Sequence, residues 1–147
     1  MSKTFPFETT HEVRDACLCL HAQRAARGLA RRFDKAFRSL ELTNGQFSLL
    51  MALNRPQPAP MGPVAHLLAM DRTTLTATLK PLERRGLVTI SVAPRDRRNR
   101  LLALTDAGRT LLAAALPIWR ETHAEIEARL PGLDAGALRS ALNGLAA

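Results

Sequence analysis

Apolar residues return at helical spacing along most of this chain, and at a spacing of two in one short stretch. From His11 to Leu40 the pattern predicts one long helix, interrupted only by Gly28. Leu18, Ala22, Ala25, Leu29, Phe33, Ala36 and Leu40 share a face, and Arg24, Arg27, Arg31, Lys35 and Arg38 line the opposite one. In the first turns that second face is apolar instead: Val13, Ala16, Cys17 and Leu20. A helix apolar on both sides needs two neighbours, either the C-terminal helices of the same chain or a second copy of it. Residues 1–10 contain Pro6 and no periodicity, and are predicted to fray.

Thr43 to Gln46 reads as a capping box, with Phe47, Leu50 and Met51 opening the apolar stripe behind it. Pro56, Pro58 and Pro60 close that helix in a stiff loop. Gly62-Pro63 starts the next, with Val64, Leu67 and Leu68 facing inward, and it ends near Met70. Asp71 then caps another helix, on which Leu75, Leu79 and Leu82 form the buried stripe. Thr73, Ala77, Lys80 and Arg84 fall opposite, Pro81 should bend the helix, and Gly86 stops it. Two short helices joined so tightly have helix-turn-helix geometry.

After Gly86 the period becomes two. Val88, Ile90 and Val92 point one way, Thr89 and Ser91 the other, which predicts a half-buried strand. Pro94 to Asn99 form a turn rich in arginine, and Leu102 and Leu104 belong to a returning strand. Thr105 caps a long helix reaching about Leu130, where Pro131-Gly132 ends it, with a kink expected at Pro117. Its apolar face carries Leu111, Leu112, Ala115, Leu116, Trp119, Ile126 and Leu130. A last helix starts at Asp134 with Leu138, Leu142 and Leu145. The predicted chain is mostly α, with one small β-hairpin.

Charge gives this pattern a partner. The 147 residues hold 21 Lys+Arg against 13 Asp+Glu, a net +8, and the excess is unevenly placed. Asp71 to Arg100 contains eight cations and three acids, whereas Leu101 to Ala147 has four Arg and five acids. Clustered cations of that density imply a polyanion. A helix with short polar residues at its start can press against base edges in a major groove, and an arginine-tipped hairpin beside it can reach backbone or minor groove. The candidate DNA contacts are Arg72, Thr73, Thr74, Thr76 and Lys80 on the helix, with Arg95, Asp96, Arg97, Arg98 and Arg100 on the hairpin.

These residues resemble the winged helix-turn-helix of the MarR family of bacterial transcription regulators. The likeness lies in Asp71-Arg72-Thr73-Thr74-Leu75-Thr76 at the start of the recognition helix and Leu82-Glu83-Arg84-Arg85-Gly86-Leu87-Val88 at its end. Asp96-Arg97-Arg98 follows, then Leu104-Thr105 and Gly108 at the family's spacing. Ala77 stands where similar sequences often carry a basic residue. The resemblance implies a winged helix-turn-helix lobe over residues 43–104, flanked by dimerisation helices at 11–40 and 105–147. It also implies a homodimer on a near-palindromic operator, acting as a repressor and released by a ligand or an oxidant. A winged helix used for protein-protein assembly is the alternative, distinguished by apolar rather than cationic residues on the outer face.

Two switching sites follow from the family. A branch of it senses organic hydroperoxides through a cysteine early in the first helix, and Ala16-Cys17-Leu18-Cys19-Leu20 resembles that region, although the branch also uses tyrosines and this chain has none. His21 and Arg24 share the helical face of Cys17, and such cations favour a thiolate. Against this stands the plain reading of Cys17 and Cys19 as small buried residues at a dimer contact. The other route is a small aromatic or phenolic ligand, with His21, Phe33, Phe37 and Trp119 as candidate lining.

The remaining chemistry narrows the class. No phosphate loop, zinc spacing or nucleophile elbow occurs, and the four His are dispersed, so no enzyme, metal site or cofactor is expected. No run of about 18 apolar residues is present, and MSKTFPFETT lacks the apolar core of a secretion signal. Cys17 and Cys19, two apart on one predicted helix, point away from each other. The expectation is a cytoplasmic protein with reduced thiols.

Overall fold

A computed structural model describes residues 4–147. Its helices are α1 (Phe7–Ala16), α2 (Leu18–Ala36), α3 (Asn44–Ala52), α4 (Met61–Leu67), α5 (Arg72–Arg84), α6 (Asp106–Ala128) and α7 (Ala135–Ala146). A 3₁₀ turn at Arg38–Leu40 follows α2. Strands β1 (Ala59–Pro60), β2 (Val88–Ala93) and β3 (Asp96–Leu104) form one antiparallel sheet with β3 in the middle. The chain is mostly helical with a small wing, as its periodicities predict.

Four helix starts follow the same physics. Thr43 and Gln46 make the reciprocal capping box, and Asp71, Thr105 and Asp134 each accept from a first-turn amide. Leu75, Leu79 and Leu82 on α5 are completely buried, contributing about 2 kcal/mol each by removal from water. They join Phe37, Leu49, Leu50, Val64, Val88 and Leu102 in a single core beneath the recognition helix and the sheet. Gly86 takes φ +71°, the left-handed stop that its position after α5 requires. Gly108 is needed for a different reason: a methyl there would overlap the Leu87 carbonyl, so α6 can start against the end of α5 only without one.

Several sequence expectations are corrected. The helix predicted over 11–40 breaks at Cys17, not at Gly28. Cys17 adopts extended backbone and caps α2, its Sγ accepting from the Leu20 amide at 3.5 Å. The helical run also begins earlier, because Phe7–Thr10 are helical rather than frayed; residues 1–3 lie outside the described range. Cys17 and Cys19 therefore do not share one helix, and both are free thiols.

The loop at Pro56–Pro60 hides β1, whose Ala59 and Pro60 pair with Leu102 and Leu101. On α4, Ala65 is buried and Leu67 is exposed, the reverse of the expected inward Leu67, and α4 begins at Met61. Between α4 and α5 the turn runs through Leu68 to Asp71, with Ala69 at φ +50°. Pro81 and Pro117 lie inside helices that continue through them, and α6 ends at Ala128.

The burial of the outer helices is uneven. Neither α1, α2 nor α7 has a fully buried residue, although α2 packs along α6. Phe5, Phe7, Val13 and Leu18 at one end of the chain, and Leu133, Leu142 and Leu145 at the other, are more than 45% exposed.

Candidate nucleic-acid interface

The interface candidate is built on α5 and the β2–β3 wing, which pack directly on each other. With the leucine stripe buried, Thr73, Thr76, Ala77 and Lys80 are all left exposed on the opposite side of α5. The Asp71 carboxylate accepts from the Thr74 amide at 2.7 Å and fixes the first turn. That backbone hydrogen bond, reinforced by the Thr74 hydroxyl, holds the Asp71 carboxyl below the usual carboxylate range.

Thr76 donates its hydroxyl proton to the Arg72 carbonyl at 2.8 Å. What it offers outward is then a methyl group and oxygen lone pairs. Those suit a thymine methyl or the amino groups of adenine and cytosine, not a base acceptor. Thr78 makes the same back-bond to the Thr74 carbonyl and sits half-buried. The Arg72 guanidinium lies over Gly62 of α4, spanning the helix-turn-helix; Thr74 is exposed beside it.

The wing tip differs from the long turn expected at Pro94–Asn99. Ala93 pairs with Asp96, closing a tight turn of Pro94 and Arg95, and the next pair is Val92 with Arg100. Three residues, Arg97, Arg98 and Asn99, are thus extra on β3 and bulge out of the ladder. Asp96 organises the bulge: its Oδ1 accepts from the Arg98 amide at 3.0 Å and its Oδ2 from Asn99 Nδ2 at 3.1 Å. The Arg100 guanidinium turns back to the Arg97 carbonyl at 2.9 Å. Asp96 therefore holds backbone in place rather than an arginine side chain. Asn99 is a partner the sequence reading missed, and only its spacing from Asp96 could have marked it. The side chains of Arg95, Arg97 and Arg98 are exposed and make no ion pair among the described residues.

The candidate switching residues separate into two places. Phe33 and Phe37 stack at 6.0 Å, Phe37 and Phe47 at 4.9 Å, Phe47 and Trp119 at 6.4 Å, and Trp119 and His123 at 4.8 Å. This aromatic row borders a cavity of about 230 Å³ between α2, α3 and α6. A second cavity of about 380 Å³ opens on the other side of Phe47 and Trp119, lined there by Leu67 of α4 and by Leu68 just after it. His21 belongs to neither. It lies on the outer face of α2 beside Arg24, Arg27 and Arg31, and one ring nitrogen is 2.7 Å from the Cys17 carbonyl, not its thiol. Cys17 is half-buried, and Cys19 is exposed with Gln23 donating to its sulfur at 3.3 Å.

Comparison with known proteins gives this arrangement its context. The MarR family model matches residues 42–99, the segment from before α3 into the wing. The HTH-type transcriptional repressor NicR of Pseudomonas putida is 33% identical over 96 residues, 65% of this chain. The match spans only 59% of NicR's own length. The transcriptional regulator HosA of Escherichia coli is 32% identical over 92 residues, 63% of this chain and 68% of HosA. The M. tuberculosis transcriptional regulator MosR, solved in complex with DNA, superposes with a TM-score of 0.81 at 35% identity, over 88% of this chain and 93% of MosR. With whole-length likeness in structure and the family's segment in sequence, the chain belongs to the MarR family.

Proposed function

We infer that this chain is a DNA-binding transcription regulator, acting as a repressor, whose recognition helix α5 reads the major groove while the wing grips the backbone or minor groove. The observation that carries the reading is the outer surface of α5 and the wing: short polar side chains at the helix start, then exposed cations that make no ion pair among the described residues. An assembly module would expose apolar residues there. The likeness to MosR bound to DNA supports the same conclusion. Thr73, Thr76 and Lys80 are assigned to base edges and nearby phosphates, with Thr74 and Arg72 at the groove margin. Arg95, Arg97 and Arg98 are assigned to the backbone, with Arg100 and Asp96 shaping the loop that presents them.

The acting unit is a homodimer. The exposed apolar residues at the two chain ends need cover, and within one chain α1 and α7 bury none of their own. A twofold pair reads a near-palindrome with half-sites about 10 base pairs apart. Release from DNA is assigned to a small aromatic or phenolic ligand in the cavities flanking Trp119, since Leu67 there ends the first helix of the helix-turn-helix and Leu68 opens its turn. Oxidation at Cys17 is a second route, because its sulfur caps α2 and a change at that atom would alter the α1–α2 joint. Neither α5 nor the wing offers catalytic machinery, and we place the protein in the cytoplasm; no described helix is long and apolar enough to cross a membrane.

A salt titration of binding tests the reading. Each phosphate neutralised contributes about −0.9 to the slope of log K against log salt, so several contacts give a steep line on mixed-sequence DNA. A flat line would overturn it.

A further inference from the structure

The C-terminal end of α5 is tied into the helices behind it by a residue outside the set assigned to DNA contact. Arg85, the C-cap of α5, is exposed, and its guanidinium donates to the Glu41 carbonyl at 2.7 Å and the Leu40 carbonyl at 3.3 Å. These acceptors end the 3₁₀ turn that follows α2. Glu41 there is left-handed at φ +51°, and such a helix end leaves carbonyls without amide donors. A planar guanidinium can bridge two neighbouring carbonyls, and its positive charge suits the negative end of a helix.

On the other side of the same segment, Thr105 donates its hydroxyl to the Gly86 carbonyl at 2.6 Å and its amide to the Leu87 carbonyl at 3.1 Å. Residues 85–87 are thus held on one side by the 3₁₀ turn that follows α2 and on the other by the residue that caps α6, and α2 and α6 themselves pack on each other. The opposite end of α5, capped by Asp71, is left to meet DNA. Among the described residues the two Arg85 bonds are the side-chain hydrogen bonds that bridge the greatest sequence distance, 44 and 45 residues.

We propose that Arg85 is a positioning residue: its two-carbonyl fork sets the angle of the recognition helix against the α2–α6 layer, and thereby the half-site spacing that a dimer accepts. This rests on the reading of the chain as a dimeric DNA-binding regulator. A dimer discriminates spacing only as far as each recognition helix is rigidly joined to the layer that joins the two copies. Arg85 is the part of that joint that can be cut without entering the core.

The test uses the full chain and duplexes carrying a half-site selected from a random-sequence pool, at the preferred spacing and at one base pair less and one more. In Arg85→Ala the preference for the correct spacing falls about fivefold, in the range of typical coupling between sites. The salt slope stays that of the wild type, as does the thermal midpoint. Arg85→Lys keeps the charge but loses the fork, and behaves like Arg85→Ala. Amide exchange at Glu41 and Leu42 without DNA rises in both variants. Unchanged spacing preference in Arg85→Ala, or full recovery in Arg85→Lys, overturns the proposal. So does equal weakening on all three duplexes with a smaller salt slope, which would make Arg85 a phosphate contact. If the wild type itself shows no salt-dependent binding, the DNA reading fails, and the exchange measurement still decides whether Arg85 holds α2 and α5 together.

Discussion

At Asp71 one carboxylate decides how the reading end of α5 begins. Its hydrogen bond from the Thr74 amide lowers its pKa, so it favours the folded state when ionised. A carboxylate of this kind contributes fully above its unfolded value of about 3.9, and the contribution is lost as pH falls through the lower folded value. Asparagine caps a helix as well but does not titrate. Asp71→Asn should therefore flatten the loss of thermal stability between about pH 5 and pH 3 by one group, and leave neutral pH little changed. An identical acid limb in both proteins would remove this role from Asp71. The cap and the leucine stripe were legible in the sequence because both signals are local. The role of Arg85 was not, since its acceptors are backbone carbonyls 44 and 45 residues away and carbonyls carry no sequence signature.

The wing shows how an element can be foreseen while its geometry is not. Alternation from Val88 to Val92 and the leucines at 102 and 104 announce two strands, and the structure has them. The bulge at Arg97–Asn99 depends on which residues pair across the hairpin, and β1 depends on Ala59 finding Leu102; neither register is visible in a run of prolines or arginines. The break at Cys17 was hidden in a similar way: Ala16 and Leu18 continue the helical pattern on either side of it. Function follows the bulge, because Asp96 holds the loop from which Arg97 and Arg98 project. Asp96→Ala removes a negative charge from the wing proposed to meet DNA, yet it should weaken binding on all sequences about as much as Arg98→Ala does. Losing one phosphate contact changes the salt slope by about one. Anisotropy titrations at several salt concentrations measure both variants. Tighter binding by Asp96→Ala would show that its charge matters more than its hydrogen bonds.

For the whole molecule, the question is what covers the chain ends. The core lies under α5 and the sheet, and the terminal helices contribute little to it. The Arg139–Glu127 ion pair at 3.3 Å joins α7 to α6, but both partners are exposed, and such pairs contribute at most about 1 kcal/mol. Leu142 and Leu145 are 47% and 60% exposed, more than α7 can leave to water without a partner surface. In a homodimer they are buried against the second copy; in a monomer they remain in solvent. Replacing both with Glu in the full chain thus costs the single-chain fold little and the dimer much. Sedimentation at micromolar concentration should show the wild type as a dimer and Leu142→Glu/Leu145→Glu shifted to monomer, with far-ultraviolet circular dichroism retained. Operator affinity should fall with it, because one recognition helix and one wing make too few contacts for operator-level binding. Binding to a single half-site should change little, since α5 and β3 are untouched. A variant that stays dimeric, or a monomer that still binds the full operator as tightly as the wild type, would overturn the assignment of α7 to the dimer interface.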